Sequence, residues 1–230
     1  MEISTISCVF LLSESAATSI RNLDEFGEIV IRSNASLPIL EKVRFYTEGM
    51  LDQQVLPLDP FGFSSSDRGS ETPFDGCCAL IHSQGVGYVP FDSVKKNADL
   101  VNKWKVIIGK IVPGNGEVGV DPEKGYKAIT MPRILRPGEI NTFSYVLLGT
   151  FDSELEAINF KKYMMCKFPR FLLRLTYSSM NIAKSNFAFV PRVDFTEEWT
   201  DEKLYALFNI SEEERELIEK TIRFFDEEDE

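Results

Sequence analysis

Tyr145-Val-Leu-Leu-Gly-Thr-Phe-Asp-Ser-Glu-Leu-Glu156 carries a β-rich apolar run straight into a helix start. The run over 143–150 is apolar enough for a buried strand. Ser153-Glu-Leu-Glu156 then reads as a capping box, in which the serine hydroxyl accepts from the third helical N–H and Glu156 reaches back. Leu155, Ile158, Phe168, Leu172 and Leu175 continue the helix, with a kink expected near Pro169. Further on, residues 204–208 suit a short helix. Ser211-Glu-Glu-Glu214 is a second capping box, opening a helix that buries Leu217, Ile218, Ile222 and Phe225. The last five residues, Asp-Glu-Glu-Asp-Glu, read as a solvated tail.

Toward the N-terminus the texture is different. From 53 to 145, Gly and Pro are frequent and separate short β-rich runs at Cys77–Ser83, Gly87–Phe91 and Lys105–Ile111, a pattern that predicts an irregular, mostly antiparallel sheet. Before it, 6–12 and 28–32 read as strands. Pro38 opens a helix carrying Leu37, Leu40 and Val43, which stops before Gly49. The expectation is an α+β fold in three parts. Residues 1–50 would be the edge of an α/β unit, 51–193 the sheet-containing domain with its kinked packing helix, and 194–230 a C-terminal helical segment.

The chain has 230 residues, 43% hydrophobic and 27% charged, which suits a globular protein and not a disordered one. No apolar run approaches the ~18 residues a bilayer span requires, and the N-terminus reads as a strand rather than a signal peptide. The four cysteines, Cys8, Cys77, Cys78 and Cys166, have neither C-x-x-C spacing nor a disulfide framework, and reduced thiols point to a cytoplasmic location. The single histidine, His82, excludes multi-histidine metal schemes and most Ser-His-Asp or Cys-His arrangements. It reads as a strand-end residue, and Tyr88, Phe91 and Trp104 as core.

The formal net charge of −11 conceals three blocks. Residues 1–94 carry a net −8, residues 95–192 a net +8 and residues 193–230 a net −11. Screening over roughly 8–10 Å limits what a distant acidic tail does to a basic surface, so phosphate binding stays open despite the total. The glycine-rich 113–119 fits neither a P-loop nor a dinucleotide fingerprint and reads as a loop tip. Asp121-Pro-Glu-Lys124 and Asp201-Glu-Lys203 resemble fragments of a magnesium-nuclease element but lie in a loop and at a helix start, away from the required strand context. The Asn/Asp-Pro-Pro-Tyr/Phe motif of amino-methyltransferases is missing from the sequence.

Several stretches, in consistent order, resemble the C-terminal half of the Eco57I-like restriction-modification adenine-specific DNA methyltransferases. They are Lys105-Val-Ile-Ile-Gly-Lys110 with the glycine-rich stretch after it, Tyr145 to Ser153, and Lys167-Phe-Pro-Arg-Phe-Leu-Leu-Arg-Leu175. Phe189-Val-Pro-Arg-Val-Asp-Phe195, Glu198-Trp-Thr-Asp-Glu-Lys-Leu-Tyr205 and the Ser211 helix complete the set. The resemblance implies a target-recognition domain that grips duplex DNA while a methyltransferase domain or subunit, outside this sequence, binds S-adenosylmethionine and methylates a flipped adenine. No catalytic position and no cofactor or metal ligand carries over to this chain.

The matching region is the basic block. Lys105, Lys110, Lys124, Lys127, Arg133 and Arg136 are the candidates for phosphate neutralisation. Asn115 or Asn181 would read adenine through its amide, and Tyr177, Ser178, Asn181 and Lys184 form a polar turn suited to backbone contacts. Lys161, Lys162, Lys167, Arg170 and Arg174 are available either to solvent or to phosphate. The expected function is sequence-specific DNA recognition within a restriction-modification system, without chemistry by this chain alone. The alternatives are a magnesium-dependent restriction endonuclease and an acidic protein-interaction module.

Overall fold

A computed structural model describes residues 31, 33–113 and 125–225. The expected strand at 6–12 lies outside them, as does that at 28–32 apart from Ile31. The fold is α+β, with two three-stranded sheets and helices on one side. In the first sheet β1 (Cys77–His82) is central, antiparallel to β2 (Gly85–Pro90) and parallel to β5 (Glu139–Asn141). In the second, β3 (Trp104–Gly109) is central and antiparallel to both β4 (Arg133–Leu135) and β6 (Tyr145–Phe151), with a bulge between Val106 and Ile107. The sequence did not announce β4 and β5, because three residues are too few to show alternation. They sit in different sheets and are joined by a turn at Arg136–Gly138, so this short connection ties the two sheets together.

The second sheet is the middle layer. Val106, Ile108, Val146 and Leu148 point into a large core shared with the helices, while Ile107, Leu135 and Leu147 meet Leu80, Ile81 and Ile140 in a smaller core between the sheets. Both faces are therefore apolar, which is why 143–150 reads as a continuous hydrophobic run. The helix α1 (Leu37–Arg44), with Pro38 in its first turn, buries Ile39, Leu40 and Val43 in the large core beside Leu204 and Phe208 of the C-terminal segment. His82 ends β1 as expected, buried, its Nδ1 accepting from the Gln84 amide. Phe91 departs from expectation: it sits in the 3-10 turn after β2 and is 40% exposed, since that turn faces outward.

Ser153 caps α2 (Glu154–Met165) through the expected box. The interruption falls at Cys166, three residues ahead of Pro169. There the backbone is extended, and α3 (Lys167–Leu175) starts afresh with the proline in its first turn, where the missing N–H is harmless. The two open amides of α3, Lys167 N and Phe168 N, donate to the two carboxylate oxygens of Asp201 at 2.9 and 2.8 Å. Asp201 itself opens α4 (Asp201–Leu207). It thus caps a helix 34 residues upstream, an arrangement no local reading discloses. The Ser211 box caps α5 (Glu212–Thr221), after which Ile222 leaves the helix and bridges Tyr126.

Candidate functional site

Gly109 closes β3, and three segments converge there. Beyond it Ile111 pairs with Asn181 in an antiparallel rung, flanked by Val112 N donating to Met180 O (2.9 Å) and Ile182 N donating to Lys110 O (2.7 Å). Gly109 N donates to Thr130 Oγ1 at 2.7 Å, which draws 126–133 alongside. A Cβ on Gly109 would stand 3.0 Å from Thr130 Cγ2, so glycine permits this approach. Tyr177 Oη donates to Ala128 O at 2.6 Å and fixes the turn after α3 to the same segment.

The chemistry of the three segments is one-sided. Residues 100–116, 124–138 and 157–193 contain no Asp or Glu. Among the described residues, Lys110, Arg133, Lys161 and Lys184 on these segments have no carboxylate partner. Arg133 and Lys161 line a groove of about 550 Å³ between the β3–β4 edge and α2, with Thr130, Met131, Pro132 and Tyr145 as neighbours. Lys110 Nζ rests 3.8 Å from the centre of the Phe143 ring, and the side chain stays half-exposed. Lys127 lies on the same segment as Ala128, and Ser178, Asn181 and Lys184 are exposed along the turn.

Other expected contacts fall elsewhere. Lys105 is fully buried, with Nζ donating to the carbonyls of Leu100 (3.2 Å), Val101 (2.7 Å) and Lys103 (2.6 Å). It satisfies the end of the 3-10 turn at Ala98–Leu100 and cannot reach a phosphate. Burial pushes its ammonium down to about 8. Arg136 is exposed, but it lies beside the start of β3, about 20 Å along the strand direction from Lys110. The Tyr177 hydroxyl is spent on Ala128 O and is no free donor. Asn115 and Lys124 lie outside the described residues, as do Asp121 and Glu123 of the first nuclease-like fragment.

The basic face expected of the interrupted helix is largely consumed by the acidic C-terminal segment. Lys162 pairs with Glu198 (2.7 Å) and Lys167 with Glu219 (2.6 Å). Arg170 is fully buried, stacked 4.3 Å from the Phe225 ring, and Arg174 lies 3.6 Å over Tyr126. Only Lys161 of that group joins the groove. The second nuclease-like fragment is equally committed: Asp201 caps α3, and Lys203 pairs with Glu197. Among the described residues no three His, Cys, Asp or Glu side chains are placed to hold a metal ion, and no helix is long and apolar enough to cross a membrane.

Thr130 is not marked out by composition or spacing, and Lys161 is marked only as one of five cations open to solvent or phosphate. The signal that would have found their neighbourhood is the run of sequence free of acidic residues, which a summed block charge obscures. No family model, no curated protein and no solved structure matches the chain.

Proposed function

We propose that this chain is a sequence-specific DNA-recognition module of a restriction-modification system, supplying target specificity to an adenine methyltransferase or restriction enzyme. In this reading, double-stranded DNA and a methyltransferase domain or subunit are its partners, and S-adenosylmethionine belongs to that partner. The observation that carries it is the meeting of three acid-free segments at the end of β3, with Lys110, Arg133, Lys161 and Lys184 carrying no carboxylate partner among the described residues. Cations there neutralise phosphates and set the register on the duplex, while the Asn181 amide, exposed beside them, is suited to a base edge. The resemblance to adenine methyltransferase recognition halves supports the system type.

Fluorescence anisotropy with a labelled duplex of about 20 base pairs, followed through a salt series, tests this. Four phosphate contacts give a slope of log K against log salt near −3.6, from about −0.9 per phosphate on B-DNA. Reversing charge at Arg133 and Lys161 together should cost at least tenfold in affinity at low salt and flatten the slope. The same reversal at Arg136 should change little. Absence of duplex binding at low salt, or equal losses from both sets, overturns the assignment.

A further inference from the structure

We propose that Ile111 is an apolar wedge that enters a base-pair step of duplex DNA. The inference deepens the DNA-binding reading and rests on it. Ile111 is 54% exposed where its segment abuts 180–182, since Val112 N donates to Met180 O. The hydrogen bonds flanking the Ile111–Asn181 rung make it a non-hydrogen-bonded pair, so these two side chains stand close together on one face. Val112 and Ile182, next along each strand, are buried beneath them. The wedge is therefore mounted on the core, and its β-branched side chain has few rotamers to lose.

The surroundings select the occupant. Lys110 precedes Ile111, Lys184 lies three residues beyond Asn181, and no acidic residue occurs in either segment, so an apolar tip is presented between cations. A protein partner of ordinary composition would bring carboxylates and apolar groups in any order. A duplex brings a stack of apolar base faces between two rows of phosphate, which matches the order found here. Isoleucine is among the residues that separate base steps in proteins that kink DNA, with the unstacking cost offset by added contact.

Wedging is cheaper where bases are already poorly stacked. Anisotropy with two duplexes of about 20 base pairs, identical except for a central mismatch, gives the readout. The native chain should bind the mismatched duplex roughly tenfold more tightly, the value expected if about 1.4 kcal/mol of unstacking is already spent. Ile111→Ser should abolish that preference while leaving the salt slope unchanged. Ile111→Thr, which keeps β-branching in the rung, is the companion variant should the serine protein lose its circular-dichroism spectrum. Equal affinity of the native chain for the two duplexes, or a preference that survives the substitutions, overturns the wedge and leaves the DNA interface standing. No binding of the native chain to either duplex overturns both.

Discussion

Lys105 is the most testable consequence of the packing, because its environment sets the sign and the size of a pH effect. Its ammonium is enclosed between the sheets and satisfied only by three carbonyl oxygens, and burial pushes its pKa from 10.5 to about 8. Between those values the unfolded chain binds a proton that the folded chain does not. Stability therefore rises with pH across that window, and below it the full penalty remains. At 1.36 kcal/mol per pKa unit, the folded state gains roughly 1.3 kcal/mol between pH 7 and 9 and about 2.5 kcal/mol between pH 7 and 10. Other groups oppose this: burial pushes Cys166 up to about 12 and raises Tyr163 and Tyr205, which favours unfolding in strong alkali. A comparison with Lys105→Met removes those shared contributions. Urea unfolding of both proteins, followed by fluorescence of Trp104 and Trp199 at pH 7, 8, 9 and 10 and constant ionic strength, gives the difference directly. The native protein should gain on the variant by the amounts above. A difference that stays flat across this range would refute the reasoning, since it would mean that three carbonyls fully replace water around the ammonium.

Asp201→Ala removes the acceptor for two helix-start amides and should cost about 1–3 kcal/mol in urea unfolding, with Asp201→Asn, which keeps one oxygen acceptor, less damaging. At Gly87 a Cβ would fall 1.5 Å from Arg68 O. Gly87→Ala must then push away the 68–70 segment and break the two Ser70–Tyr88 backbone bonds, at a cost of about 2 kcal/mol in thermal or urea unfolding. Cys166, pushed up to about 12, should resist iodoacetamide at pH 8 in the folded protein and react once urea unfolds it; peptide mapping by mass spectrometry reports the site.

The fate of the basic block explains why block charge alone is a poor guide to an interface. Six of its cations, Lys96, Lys103, Lys105, Lys162, Lys167 and Arg170, are ion-paired or buried. Two of the pairs, Lys162–Glu198 and Lys167–Glu219, reach into the acidic C-terminal block, so part of the opposition between the segments is resolved within the fold. Of the others, Lys110, Arg133, Lys161 and Lys184 lie on the segments that meet at the end of β3, while Lys95, Arg136 and Arg192 are exposed as well.

The sequence alone determined whatever depends on neighbours a few residues apart. The two capping boxes act over three residues, Pro38 sits in the first turn of its helix, and the run at 143–150 is apolar on both faces, so each was readable locally. The α+β class followed from these. Tertiary structure decided the rest, because the responsible partners are far apart in the chain. Asp201 reaches back to cap α3, and the three-residue β4 and β5 exist only through pairing with β3 and β1. The candidate surface has the same origin. Ile111 and Asn181 are 70 positions apart and become neighbours through two backbone hydrogen bonds, with Val112 and Ile182 next to them buried in one core.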